Sequence, residues 1–290
     1  ADVSIDVVRF LRELYPLTRL TNVRFKVIQS THMRAVLGAD ILERLDEQDF
    51  DAPDPLQTDI DFDEKAEVEN LLEASFDRGI LAGLPHIHIP RYRNLVFDEY
   101  LRVFRMRLGK NAPAHFKPMV VPTIPGMKLR KGYTISLKNL PAEAREILRK
   151  QLELNKSMGV LSDDVPPDAI LHSLLTVKKP TGGLRWVVTC ITANEITIDI
   201  QQFAIDNAEE LQEIMKGAKF YWIADMTKGY WQVLLAEESQ WLFCFQTPFG
   251  PHKYLRAPMG SKYTGPYFDK CVAGMLEGAN LLRKGVVMIH

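Results

Sequence analysis

The strongest constraint on the fold is a helix-to-strand step that ends at Asp225. Asn207 is a suitable helix cap with Glu210 three residues further on, and Gly217 is a suitable stop. Residues 218–226 then form an aromatic and β-branched run, which predicts a strand. Because the run leaves Asp225 at its far end, the pattern predicts a carboxylate on a rigid strand, where it is well placed to bind a metal ion.

The surrounding pattern predicts an α+β fold. Thr227-Lys228-Gly229 favours a hairpin turn into a second strand over residues 230–236. Pro141 suits the first turn of a helix that ends near Gly159. Strand, hairpin and helix signals alternate to residue 290, and 46% hydrophobic residues suffice for one large core or two modest ones.

Composition excludes several classes of protein. The sequence has no apolar run near the roughly 18 to 20 residues of a membrane helix, and no leader opens it, so we expect a soluble protein. The three cysteines, Cys190, Cys244 and Cys271, are far apart and show no paired spacing. This usage supports neither a disulfide framework nor a zinc knuckle and favours a reducing compartment.

Charge is segregated along the chain although the net charge is only −1. Residues 1–90 carry 9 Lys/Arg against 18 Asp/Glu, residues 91–190 carry 18 against 8, and residues 191–290 carry 9 against 11. The middle third, at 18 − 8 = +10, suits a phosphate-binding face, because neutralised phosphates release counterions. A solvated helix face is the structural alternative.

The acidic residues suggest domain boundaries. Residues 1–45 alternate in strand fashion around Val23, Phe25 and Val27, which predicts a small β unit. Residues 46–90 begin with an acidic, proline-containing stretch that predicts a linker running into a helix. The remainder, residues 91–290, forms the main domain of this prediction.

Several ordered blocks in the main domain carry a family resemblance. They are residues 154–161, 177–188, 217–233, 245–250 and 257–260, followed by Pro266-Tyr267-Phe268. In order and spacing they resemble the reverse transcriptase of gypsy-type long-terminal-repeat retrotransposons, over roughly residues 94–290. The resemblance implies the fingers and part of the palm of a right-hand polymerase, built from an antiparallel sheet with helices.

The resemblance also implies a function. It points to a fragment of an RNA-directed DNA polymerase, a nucleotidyltransferase cut from a polyprotein, that binds an RNA or DNA template–primer and deoxynucleotide triphosphates. Mg²⁺ or Mn²⁺ is expected in the complete protein. The implied location is a cytoplasmic retroelement particle or the nucleus, with no membrane partner, and an oligomer or a partner chain is left open.

Two residues match the catalytic motif of that family. Nucleotidyl transfer uses two divalent ions about 4 Å apart, which converging carboxylates hold, and Asp225 is the candidate catalytic residue and metal ligand. Its structural alternative is an exposed Asp at a strand end. Tyr230 stands where the family places the steric gate against a 2′-hydroxyl; its alternative is a core aromatic residue.

Four further residues match nucleotide-binding positions. Lys178 and Arg185 flank a Thr-Gly-Gly turn between two predicted finger strands, where the family clamps the triphosphate with basic residues. Arginine suits phosphate because its planar fork binds two oxygens, whereas a lysine can simply decorate the surface. Met259 and Gly260 match the palm segment that supports the nucleotide, with Met259 where relatives usually have Phe.

Departures from the family pattern favour a second hypothesis. Thr189 and Ile191 replace the usual Asp and Arg, and residues 261–265 replace the usual Leu-Thr-Asn-Ala-Pro. A Tyr-x-Asp-Asp hairpin is expected after the predicted strand 285–289, so we expect no polymerase activity from these 290 residues alone. The alternative function is a domesticated or decayed retroelement piece that binds nucleic acid or protein without catalysis.

Two weaker patterns complete the sequence. Residues 22–28 and 36–42 resemble the closing strands and helix of a retropepsin, but the catalytic Asp-Thr/Ser-Gly triplet is missing. His86 and His88 would share a face of a strand, yet no third metal ligand lies nearby in sequence. The aromatic residues Trp222, Trp231, Phe243 and Phe245 suit core packing better than base stacking.

Overall fold

The computed structural model describes residues 23–28, 36–37, 65–105, 112–127, 140–178, 184–199, 213, 216, 220–278 and 286–289. The chain divides into two compact units. The first unit comprises Ala1–Leu108, Ala204–Gly229 and Cys271–His290, and the second unit comprises Gly109–Phe203 and Tyr230–Lys270.

Helices and strands alternate through both units. The helices are α1 (Lys65–Leu81), α2 (Ile89–Arg93), α3 (Ala142–Ser157), α4 (Ile191–Ile196), α5 (Glu237–Gln240) and α6 (Thr264–Gly278). The strands are β1 (Val23–Ile28), β2 (Val36–Leu37), β3 (Leu161–Ser162), β4 (Leu171–His172), β5 (Leu174–Lys178), β6 (Leu184–Val188), β7 (Phe220–Asp225), β8 (Cys244–Thr247), β9 (Gly250–Tyr254) and β10 (Val286–Ile289). Short 3₁₀ turns cover His86–His88, Leu101–Val103, Gly229–Gln232 and Trp241–Phe243, and a π-helix covers Asn94–Glu99. No described helix combines the length and the apolar composition of a membrane span.

The first unit contains a four-stranded mixed sheet in the order β10-β1-β7-β2. Strand β1 runs parallel to both β10 and β7, and β2 runs antiparallel to β7. The register pairs Ile28 with Asp225 and with Ile289, so three parallel strands end at the same edge of the sheet. The predicted strand around Val23 is confirmed, whereas the separate retropepsin-like domain over residues 1–45 stays a prediction.

Helix α1 in the same unit is amphipathic. Its buried residues Val68, Leu72 and Phe76 recur every four positions and form one apolar face. The helix ends where Gly83 takes a φ of +90°, with the backbone N–H of Leu84 donating to the carbonyl of Gly79.

The described residues of the second unit form two sheets. One has the order β3-β9-β8-β4, and the other is the hairpin β5-β6. Helix α3 buries Ala144, Leu148 and Leu152 along one face, and it confirms the helix predicted after Pro141. The prediction of antiparallel pairing holds for β5-β6 and β8-β9, whereas the sheet around β7 is mixed.

Two local predictions were wrong. Residues 230–236 do not form a strand throughout, because a 3₁₀ turn occupies Gly229–Gln232. His86 and His88 lie in a 3₁₀ turn and not in a strand, so they do not share a strand face. The helix predicted from Asn207 lies almost wholly outside the described residues, as does the acidic linker.

The buried His172 makes the stability of the second unit depend on pH. Its Nε2–H donates to the carbonyl of Leu242 at 2.8 Å, and burial lowers the pKa of this imidazole below its ordinary value of about 6.5. The unfolded chain therefore takes up a proton before the folded one does. The stabilisation is complete above pH 6.5 and is lost progressively as the pH falls below it.

We predict that His172→Gln flattens the fall in unfolding free energy between about pH 7.5 and 5.5, because glutamine keeps a donor but does not titrate. Denaturant unfolding at a series of pH values measures this. His86→Gln, at an exposed histidine, is the matched control and should follow the wild type. Parallel pH curves for the wild type and His172→Gln would contradict the assignment.

Candidate functional site

Asp225 is the last residue of β7, a strand with neighbours on both sides. It is 8% exposed, and its backbone is in register with Ile28 of β1. The strand stops there because the chain turns: Lys228 has a φ of +50°, and the N–H of Gly229 donates to the carbonyl of Met226 at 3.1 Å. The structure thus confirms the predicted position of this carboxylate at a strand end.

Tyr230 lies in the second unit, in the 3₁₀ turn that follows. Its half-buried ring meets the ring of Phe268 edge-on, at 5.6 Å between centroids and an interplanar angle of 81°. Burial raises the pKa of the Tyr230 hydroxyl, and the negative charge of Asp269 raises it further. Packing therefore holds the ring in place, and the hydroxyl stays protonated at neutral pH.

Arg256 anchors the same turn, although the sequence did not single it out. The residue is 3% exposed. Its Nη1 donates to the carbonyl of Trp231 at 3.0 Å, its Nη2 to Met158 at 2.9 Å and its Nε to Gly159 at 3.2 Å. The guanidinium thereby joins the residue after Tyr230 to the end of α3, and burial lowers the pKa of Arg256.

Met259 and Gly260 lie against the end of β6. Gly260 has a φ of +96°, and a Cβ there would come within 3.4 Å of the carbonyl oxygen of Val188 and 3.7 Å of Cys190 Sγ. The backbone conformation therefore favours glycine, and the two distances are those of ordinary van der Waals contact. The side chain of Asn194 bonds this segment: its Nδ2 donates to the carbonyl of Gly260 and its Oδ1 accepts from the N–H of Lys262, each at 2.9 Å.

The hairpin β5-β6 carries the two basic candidates. The register pairs Arg185 with Val177 and Lys178 with Leu184. These are successive pairs, so the two residues occupy alternating positions of the pleat. Their side chains, and the turn 179–183, lie outside the described part of the chain, and their roles stay predictions.

The described residues do not complete a metal site. Among them, no group of three or more His, Cys, Asp or Glu side chains is gathered to hold an ion. Asp225 offers one carboxylate, whereas a two-ion centre requires several. The predicted magnesium site therefore requires carboxylates beyond those of the described residues.

The structure groups the candidates in two places. In the second unit, Met259 and Gly260 adjoin the base of the β5-β6 hairpin, and Tyr230 packs on Phe268. Asp225 belongs to the first unit. Sequence reasoning missed Asn194 and Arg256, because a local pattern does not reveal contacts between residues that are distant along the chain. Asn194 bonds residues 66 and 68 positions away, and Arg256 bonds residues 25, 97 and 98 positions away.

Known proteins share both sequence and fold with this chain. Over 140 residues it is 28% identical to the enzymatic polyprotein of Figwort mosaic virus (strain DxS), which covers 47% of the chain and 21% of that polyprotein. Over 104 residues it is 30% identical to the retrovirus-related Pol polyprotein from transposon 297 of Drosophila melanogaster, which covers 34% of the chain and 10% of that protein. No model of a known protein family matches.

A solved structure supports the fold. The foamy viral protease-reverse transcriptase, in complex with an RNA/DNA hybrid, superposes with a TM-score of 0.57 at 15% sequence identity. The match covers 78% of this chain and 28% of that one. The α+β fold expected from the sequence is confirmed, and the chain is similar to part of a much longer polyprotein. The gypsy-type assignment stays a prediction.

Proposed function

Because the chain is similar to a segment of retroelement polyproteins and has the fold of a protease-reverse transcriptase, we propose that it forms the fingers and part of the palm of an RNA-directed DNA polymerase. The observation that carries the proposal is the pairing of two features along the chain. A buried carboxylate ends a strand at Asp225, and five residues later an aromatic ring is fixed by Phe268. A lone surface Asp or a loosely packed Tyr would not suit this chemistry.

The site residues then take distinct roles. Asp225 is a ligand for the catalytic metal, which supplies charge stabilisation when bound. Tyr230 is the wall below the sugar that excludes a 2′-hydroxyl. Met259 and Gly260 support the nucleotide, and Lys178 and Arg185 bind the triphosphate oxygens. The residue types support each role, and the packing of Tyr230 on Phe268 and the positive φ of Gly260 support two of them.

The proposed partner is a template–primer duplex. The foamy viral protein with this fold was solved with an RNA/DNA hybrid. In this chain the excess of positive charge lies in residues 91–190, which include α3 and both strands of the β5-β6 hairpin. Phosphate contacts from such a segment supply affinity without sequence preference.

We predict that residues 1–290 bind a primer–template duplex with an affinity that falls steeply between about 50 and 200 mM salt, since each phosphate contact releases a counterion. Replacing Lys178 and Arg185 together by Gln should lower the affinity and reduce the salt slope by about one per lost contact. Fluorescence anisotropy at several salt concentrations measures both.

Lys65→Gln is the matched control, because Lys65 lies in the acidic first third and pairs with Glu69. It should leave the affinity and the slope unchanged. A wild-type affinity that stays constant across this salt range would refute the basic-face proposal.

We predict that Asp225→Asn lowers nucleotide incorporation by at least about two to three orders of magnitude. The variant is made in a longer protein that contains this chain within a polymerase region as long as that of the relatives. Asparagine keeps the shape of the strand end but removes the anionic oxygen, so template–primer affinity should persist. Primer extension and duplex binding are measured side by side.

Asp168→Asn, at an exposed aspartate, is the control and should retain full incorporation. An active Asp225→Asn protein would exclude Asp225 from the catalytic site. A wild-type protein that binds duplex but incorporates nothing would favour the alternative, a non-catalytic binding module.

We predict that Tyr230→Ala raises ribonucleotide incorporation relative to deoxynucleotide incorporation by at least about tenfold, because it removes a wall and not a ligand. Tyr230→Phe keeps the ring that packs on Phe268 and should keep the discrimination. Single-nucleotide incorporation with each sugar gives the ratio. If the ratio in Tyr230→Ala equals that of the wild type, Tyr230 is not the gate.

A further inference from the structure

One side chain holds the backbone of the Met259–Lys262 segment from outside it. Asn194 lies in α4, and its amide donates to Gly260 and accepts from Lys262. The two bonds use opposite ends of the amide, so the side chain fits in one orientation only, with nitrogen toward the carbonyl and oxygen toward the N–H. A two-point contact of this kind fixes both position and direction of the segment.

Helix α4, which carries Asn194, is held in place by buried residues and by a backbone hydrogen bond. Ala193 and Ile196 of α4 are buried, and the backbone N–H of Asn194 donates to the carbonyl of Cys190 at 2.8 Å. The Sγ atom of Cys190 would also lie 3.7 Å from a Cβ at Gly260. Cys190 and Asn194, which both follow β6 along the chain, therefore both lie next to Gly260.

The segment has little freedom left once these contacts form. The positive φ of Gly260 produces a turn that a larger residue would adopt only with strain, and a Cβ at this position would be in van der Waals contact with the carbonyl of Val188. The half-buried Met259 precedes that turn and takes its direction from it. Loss of the amide contact would release the turn without removing any group proposed to touch the nucleotide.

We propose that Asn194 is a positioning residue for the nucleotide site, which sets the place of Met259 and Gly260 through its two backbone bonds. The inference rests on the proposed polymerase function. In this role Asn194 acts through the backbone of Gly260 and Lys262. It thereby links the base of the finger hairpin to the segment that supports the nucleotide.

The chemistry at position 194 is specific to asparagine. Aspartate has the same shape and accepts from Lys262, but it turns an oxygen toward the Gly260 carbonyl, where a donor is required. Leucine has the same branched arrangement of heavy atoms and makes neither bond. Asn194→Asp therefore removes one bond and Asn194→Leu removes both, which gives a graded pair of variants.

The first experiment tests the contact in the 290-residue chain. Hydrogen exchange of the Lys262 amide should become about two- to tenfold faster in Asn194→Leu, since a net hydrogen bond is lost, and change less in Asn194→Asp. Circular dichroism confirms that each variant is folded. An unchanged exchange rate of the Lys262 amide in both folded variants would overturn the proposed contact of Asn194 with this segment.

The second experiment tests its consequence in the polymerase-length protein. Both variants should raise KM for the deoxynucleotide about five- to tenfold, with a smaller effect on kcat and none on template–primer affinity, because a mispositioned support weakens nucleotide binding first. At lower pH, protonation of the new carboxyl restores a donor, so KM of Asn194→Asp should move toward the wild-type value. Asn194→Leu should show no such recovery.

Glu195→Gln, at the exposed neighbour in α4, is the matched control and should behave as wild type. An active wild type together with unchanged KM in both Asn194 variants would overturn the positioning role while leaving the proposed function intact. A wild type that incorporates no nucleotide would refute the proposed function itself, and the exchange experiment then tests only the contact of Asn194 with the Met259–Lys262 segment.

Discussion

The buried guanidinium of Arg256 is the interaction on which the second unit depends. A cation taken out of water is costly unless its donors are satisfied, and here three backbone carbonyls accept from it. Two of these carbonyls belong to Met158 and Gly159, which directly follow the end of α3. The third belongs to Trp231. One side chain thus donates hydrogen bonds both to the backbone after a helix and to the backbone of a 3₁₀ turn.

The backbone on each side of Arg256 strengthens this arrangement. The N–H of Leu255 donates to Val160 and the N–H of Ala257 donates to Val233, both at 2.9 Å. The stretch that continues to Gly260 is therefore fixed at its start by Arg256 and its neighbours, and at its end by Asn194. A segment held at both ends is preorganised, which is the property a nucleotide support requires.

Local sequence patterns predicted the elements that depend on local chemistry. The aromatic and β-branched run before Asp225 is a strand, the helix after Pro141 is present, and β5 and β6 pair across the Thr-Gly-Gly sequence. Tyr230 was wrongly assigned to a strand for a tertiary reason: its ring packs on Phe268, far along the chain, and the positive φ of Lys228 starts a tight turn. The strand predicted at His86 and His88 was wrong, because Pro85 and Pro90 flank a 3₁₀ turn that leads into α2.

The sheet of the first unit sets a distance condition on the proposed metal site. Strands β1, β7 and β10 end at one edge, so a carboxylate that followed β10 would enter at the same edge as Asp225. Neighbouring strands lie about 4.8 Å apart, and β1 separates β7 from β10, which puts the two strand ends about 10 Å from each other. Two catalytic ions lie only about 4 Å apart and share ligands, so carboxylates on these two strand ends would have to converge across β1. Because β1 lies between β7 and β10, a complete metal centre at Asp225 requires side chains that reach across the end of β1.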